Sequence, residues 1–215
     1  SNNVAIGKEA LSTEDAHGSN VAVGYRALKV QDAGAEAYNV AVGKDAGLSV
    51  STGTLNTLIG GLAGDALQEG SSNVAIGYLA LSTEDAHGYN TAIGAGALQT
   101  HVAVGMYALS TEDSHGKNVA IGYSALILQN AGADAYNVAM GYNAGQAVTT
   151  GTANTIIGGL AGDALTTGVD NVAVGTYALT TEDTGSRSVA IGREALRDQN
   201  FDGSAYNVAV GYQAG

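Results

Sequence analysis

Four loops carry paired carboxylates: STEDAHG at Ser12–Gly18 and Ser82–Gly88, STEDSHG at Ser110–Gly116 and TTEDTG at Thr180–Gly185. Adjacent acids followed by a histidine suit a hard cation or proton transfer. Glu14 and Asp15 precede His17, Glu84 and Asp85 precede His87, and Glu112 and Asp113 precede His115. Ca²⁺ takes six to eight oxygen ligands, so these six acids are the candidate metal ligands. The loops, however, stand four, two and four repeats apart. At about 4.8 Å per repeat their carboxylates do not pool. Solvated loops are therefore the favoured reading, with no cofactor or catalytic group expected.

Tyrosine is the only common aromatic. Tyr25, Tyr78, Tyr123, Tyr142 and Tyr212 each directly follow a glycine of the repeat, while Tyr38, Tyr136 and Tyr206 precede a strand. Packing against corners or a sister chain is the favoured role. Stacking on sugar rings is the alternative, with Tyr25, Tyr78, Tyr123 and Tyr142 as ligand contacts. No nucleophile–base pair, phosphate loop or nucleotide fingerprint is present, so no enzyme is expected.

These residues are positioned by a repeat. Asn-Val-Ala-Ile-Gly or a variant recurs thirteen times, mostly 17 or 19 residues apart, with one step of 11. Units this short cannot bury a face alone and must stack into a solenoid. Gly closes every pentapeptide and Ala follows three residues later in all thirteen. An unvarying Gly predicts positive φ or close backbone approach at a corner. Before it lies a short strand such as Val4-Ala5-Ile6. After it, Ala-Leu or Ala-Gly predicts a second short strand, making a two-strand coil. The Asn column, interrupted by His101 and Ser188, predicts stacked amides along the axis or a tight turn before the strand.

Alternation sends Val4 and Ile6 to one face and Ala5 to the other, and both faces are apolar. One can line the chain's own narrow core. The other needs cover, and a neighbouring copy is the economical candidate, with the alanine side expected to be shielded by sister subunits. Four-coil modules at 3–72 and 101–170 match closely, 73–100 is abbreviated, and 171–215 is incomplete. The whole chain reads as one solenoid cut from a longer fibre.

Composition agrees. Gly is 32 of 215 residues, Pro, Cys and Trp are absent, and Phe201 stands alone. A net charge of −12 argues against nucleic acid or an anionic membrane as partner. Without Cys there is neither disulfide nor thiolate metal site. No apolar run is long enough to span a bilayer.

The run N-V-A-I-G-x-x-A-L, with variants N90-T-A-I-G and N154-T-I-I-G, resembles the head repeats of trimeric autotransporter adhesins. It also resembles the NTAIGxxAL arrays of bacteriophage tail fibres. That resemblance implies a left-handed parallel β-roll, three chains side by side, and an extracellular attachment fibre on a cell surface or virion. Its partners would be itself and a host glycan or protein. The resembling repeats are nearer fourteen residues, and the extra residues here fall in outer loops. The expected fold is thus an all-β parallel β-solenoid of about 13 short two-strand coils, assembled as a homotrimer. A monomeric binding solenoid for carbohydrate or ice is the alternative, although Thr57, Thr91 and Thr155 are sparse for an ice-binding array.

Overall fold

The computed structural model describes residues 2–14, 18–83, 88–97, 101–112 and 116–215, with His101 described by its backbone. The chain forms two compact units, Ser1–Gln99 and Thr100–Gly215. Among the described residues there are strands and turns and no helix.

The first unit carries β1 (Val4–Ile6), β2 (Val21–Val23), β3 (Val40–Val42), β4 (Thr57–Ile59), β5 (Val74–Ile76) and β6 (Thr91–Ile93). The second carries β7 (His101–Val104), β8 (Asn118–Ile121), β9 (Val138–Met140), β10 (Thr155–Ile157), β11 (Val172–Val174), β12 (Val189–Ile191) and β13 (Val208–Val210). Within each unit consecutive strands pair in parallel and column on column, as Val40↔Thr57, Ala41↔Leu58 and Val42↔Ile59 do. All thirteen strands fall on the recurring pentapeptide, so the parallel β-solenoid is as expected. The longer coils keep the same register, as Val21↔Val40 shows across a 19-residue step.

The corner glycines satisfy both reasons for their recurrence. Gly43 has φ +143°, and a Cβ there would stand 2.4 Å from the carbonyl oxygen of Gly60 in the next coil. Only a residue without a side chain permits that approach.

The segment after the corner is not a second strand. It is a chain of turns in which the second and fourth residues past the glycine take left-handed backbone, as at Arg26 (φ 54°) and Leu28 (φ 49°). Such a conformation costs about 1–2 kcal/mol per L-residue in isolation. Hydrogen bonds to both neighbouring coils offset it: the Arg26 N–H donates to Lys8 O at 3.0 Å, and the Leu28 N–H donates to Ala46 O at 3.0 Å. Coils of one strand and one turn ladder therefore replace the expected two-strand coils.

The faces are also assigned differently from expectation. The middle strand column (Ala22, Ala41, Leu58, Ala75, Ala120, Ala139, Ile156, Ala190) is fully buried inside the chain itself. The Val and Ile columns turn outward. The cause is width. Where the middle residue is large, the fourth position past the corner is Gly, as Gly64 is for Leu58 and Gly162 for Ile156: a Cβ on Gly64 would sit 2.7 Å from Leu58 Cδ2, and one on Gly145, in the coil before Ile156, 3.0 Å from Ile156 Cδ1. Two large side chains do not fit across the coil, so Leu58 faces Gly64 and also reaches over Gly47 of the coil before, 2.8 Å from its Cβ position, while in most other coils Ala faces Leu.

Candidate interaction surface

The outward strand face carries one column of Val or Thr and one of Val, Ile or Met, with no charged residue in either. Away from the chain ends, Val42, Ile59, Met140 and Ile191 are 37–41% exposed. A sheet face bathed in water normally alternates towards polar residues. This one does not, and it presents a continuous apolar surface in each unit.

Behind it runs the asparagine ladder. Asn39, Asn56 and Asn73 are fully buried. Each Oδ1 accepts the backbone N–H of the next asparagine, at 2.9 Å from Asn56 to Asn39 and from Asn73 to Asn56. Asn39 and Asn56 each donate Nδ2 to a loop carbonyl, Gly53 O and Gly70 O, both at 2.8 Å. The rungs are thus amide to backbone rather than amide to amide. The tight turn sits one residue earlier, where Ser19, Tyr38, Leu55 and Ser72 have positive φ.

The acidic loops are organised by this ladder. Glu14 Oε2 accepts from Asn20 Nδ2 at 3.3 Å, and Glu112 Oε2 from Asn118 Nδ2 at 2.8 Å. Glu112 is buried. Both carboxylates point into the coil, towards the asparagine. Asp15, Glu84, Asp85 and Asp113 lie outside the described residues. Among the described residues no three His, Asp or Glu side chains gather in a way that could hold a metal.

Glu182, in the fourth loop, was not among the candidates and is fully buried. It accepts the Gly185 N–H at 2.8 Å, Gln199 Nε2 at 2.8 Å and the Phe201 N–H at 3.2 Å. The signal for it is readable: the seventh residue past each corner cycles through Glu14, Gln31, Val50 and Leu67, then through Glu112, Gln129, Val148 and Leu165. A polar run conceals one inward position, which apolar residues occupy in the next two coils of each module.

The tyrosines divide. Tyr123 stacks on Tyr142 with centroids 5.4 Å apart, and Tyr107 meets Tyr123 edge-on at 6.2 Å. Tyr25 lies beneath the Arg26 guanidinium, 4.9 Å from its centroid. Tyr78 leans over Gly61. Packing thus engages all four candidates, while each ring remains more than a third exposed.

Charge is patterned beside the tyrosines. Asp45 is buried and held by Arg26 Nε at 2.7 Å and Lys44 Nζ at 2.7 Å. The Arg26 guanidinium, chiefly, holds its carboxyl down at about 2. Asp65 and Asp163, at equivalent places in the two long modules, are shifted upward by burial, and each leaves Oδ1 without a partner. Comparison with known proteins finds no matching family model, curated sequence or solved structure.

Proposed function

We propose that this chain is a structural and adhesive segment of an extracellular attachment fibre, of the phage tail-fibre or bacterial-adhesin kind. Three copies pack side by side as left-handed rolls through the uncharged Val/Ile face, which shields the branched columns from water. The observation that carries this reading is the outward placement of those columns, with alanine inside. Chemistry is not its task. The segment displays loops and tyrosines at fixed spacing, and many weak contacts to a host glycan or protein add up through multivalency. The net charge of −12 limits lateral association of assembled fibres.

Sedimentation equilibrium tests this. The expected mass is about three times the 21.3 kDa of one chain. Val174→Asp with Ile191→Asp, on the outer face, yields single chains with unchanged circular dichroism. A monomeric wild-type chain at micromolar concentration refutes the assembly.

A further inference from the structure

The two long modules, 3–72 and 101–170, differ beside the corner glycines of their first three coils. The two positions past each corner read Lys8-Glu9, Tyr25-Arg26 and Lys44-Asp45 in the first module. In the second they read Met106-Tyr107, Tyr123-Ser124 and Tyr142-Asn143. Five charged residues in one module therefore correspond to five uncharged ones in the other. The backbone does not change with them. Glu9, Arg26 and Asp45 have φ of 61°, 54° and 58°, and Tyr107, Ser124 and Asn143 have 61°, 52° and 52°.

In the first module the charges satisfy one another. Lys8 pairs with Glu9 at 3.8 Å, and Arg26 and Lys44 each hold Asp45 at 2.7 Å. In the second, Tyr107, Tyr123 and Tyr142 pack in sequence from coil to coil. With Met106 they form an uncharged ridge whose side chains are 41–55% exposed. Met140 stands two residues before Tyr142, across Gly141, so the ridge borders the outward strand face. Four side chains of this size, nearly half exposed, leave on the order of 400 Å² open. That is about half of what each partner contributes to a stable interface. The bordering columns of β7, β8 and β9 extend it.

Charge points to the occupant. A chain of net charge −12 repels its own copies, so contact between them is least opposed where no acid stands. The ridge lacks both acids that its counterpart carries. A basic partner would instead be drawn to acid-bearing surface.

We propose that the Met106–Tyr142 ridge grips a second copy of this chain, making the second module the anchor of the assembly. Aromatic and methionine side chains belong at the centre of such a contact, and charged ones at its rim. The inference rests on the side-by-side packing proposed above and locates its strongest contact. Tyr25 and Tyr78, in the first unit, remain for display.

Grafting the first module's residues onto the second tests it: Met106→Lys, Tyr107→Glu, Ser124→Arg, Tyr142→Lys and Asn143→Asp in one full-length chain. The first module carries these residues on the same backbone, so circular dichroism is expected to stay unchanged. Three cations and two acids are gained, which moves the net charge from −12 to −11. Weaker association then has no source in overall repulsion. Sedimentation over a dilution series is expected to show the half-dissociation concentration rising at least tenfold. Tyr142→Lys alone, at a 55% exposed side chain, raises it at least threefold and carries the test if the graft does not fold. A wild-type trimer whose half-dissociation concentration stays within threefold in both variants overturns the ridge and spares the packing. A monomeric wild-type chain overturns both. Should the graft leave the mass unchanged but abolish saturation transfer from the wild-type chain to methyl glucoside or methyl galactoside, the occupant is a neutral glycan and the proposal falls.

Discussion

Asn154→Ala removes one rung of the asparagine ladder from a fully buried position. Two backbone groups lose their partners: the Asn171 N–H, which donates to Asn154 Oδ1 at 2.9 Å, and the Gly168 carbonyl, which accepts Nδ2 at 2.8 Å. Neither group gains access to water, because the residues around them stay packed. A buried polar group left unsatisfied costs about 1–3 kcal/mol. The pair therefore predicts a loss of about 3 kcal/mol, or roughly two decades in a local opening constant. Solenoid coils interact with their nearest neighbours, so the effect should be confined to coils around β10 and β11. Native-state hydrogen exchange reads it directly, as protection of the Asn171 amide falling about 10²-fold. Asn154→Asp keeps the acceptor but sets a carboxylate oxygen against the Gly168 carbonyl, and should be at least as damaging. Asn207→Ala, at an exposed asparagine donating only to Gln199 Oε1 at 2.7 Å, should lose about 1 kcal/mol or less. Asn171 protection unchanged within tenfold, or a neutral Asn154→Asp, would refute the reasoning.

Gly141→Ala places a methyl 2.5 Å from the Gly158 carbonyl oxygen at φ +144°, and is expected to destabilise by about 3 kcal/mol or more in thermal unfolding. Gly159→Ala, with nothing within 4 Å, should change stability by no more than about 0.5 kcal/mol. Asp163, shifted upward by burial, opposes folding when ionised. Its penalty is complete above the raised folded value and vanishes below the unfolded value of about 3.9. Asp163→Asn should accordingly raise the melting temperature at pH 7 and leave it unchanged at pH 3. An equal gain at both pH values would exclude titration as the cause.

The strands and corners were legible because each rests on a local rule repeated thirteen times. Gly43 and its equivalents announced a close approach, and Val-Ala-Ile announced a strand. Which face turned inward was not legible, because both were apolar. The volume trade between Leu58 and Gly64 decides it, and that trade runs across the coil between two segments whose facing only the fold establishes. The turn ladder was hidden for a related reason. Leu28 and Leu126 do not favour left-handed backbone, and hydrogen bonds to neighbouring coils override the preference. The candidate carboxylates showed half of their nature: Glu14 and Glu112 were found by charge, while their inward direction follows from spacing to the corner. Tyr142 was chosen as an aromatic, but the ridge it belongs to depends on Met106 and Tyr107 standing where the other module has Lys8 and Glu9.

The cycle of Glu, Gln, Val and Leu at the seventh position gives otherwise interchangeable coils individual identities. Slippage by one coil would set the Glu182 carboxylate where an aliphatic side chain belongs and separate it from the Gln199 amide that now meets it at 2.8 Å. Out-of-phase stacking is thereby penalised even though the two outward strand columns would still match. Excision of a single coil from within a four-coil cycle leaves a mismatched pair inside, whereas the abbreviated stretch at 73–100 falls between complete cycles. The chain keeps count of its own windings with inward residues, of which Gln31, Leu67, Gln129, Leu165 and Glu182 are wholly hidden from water.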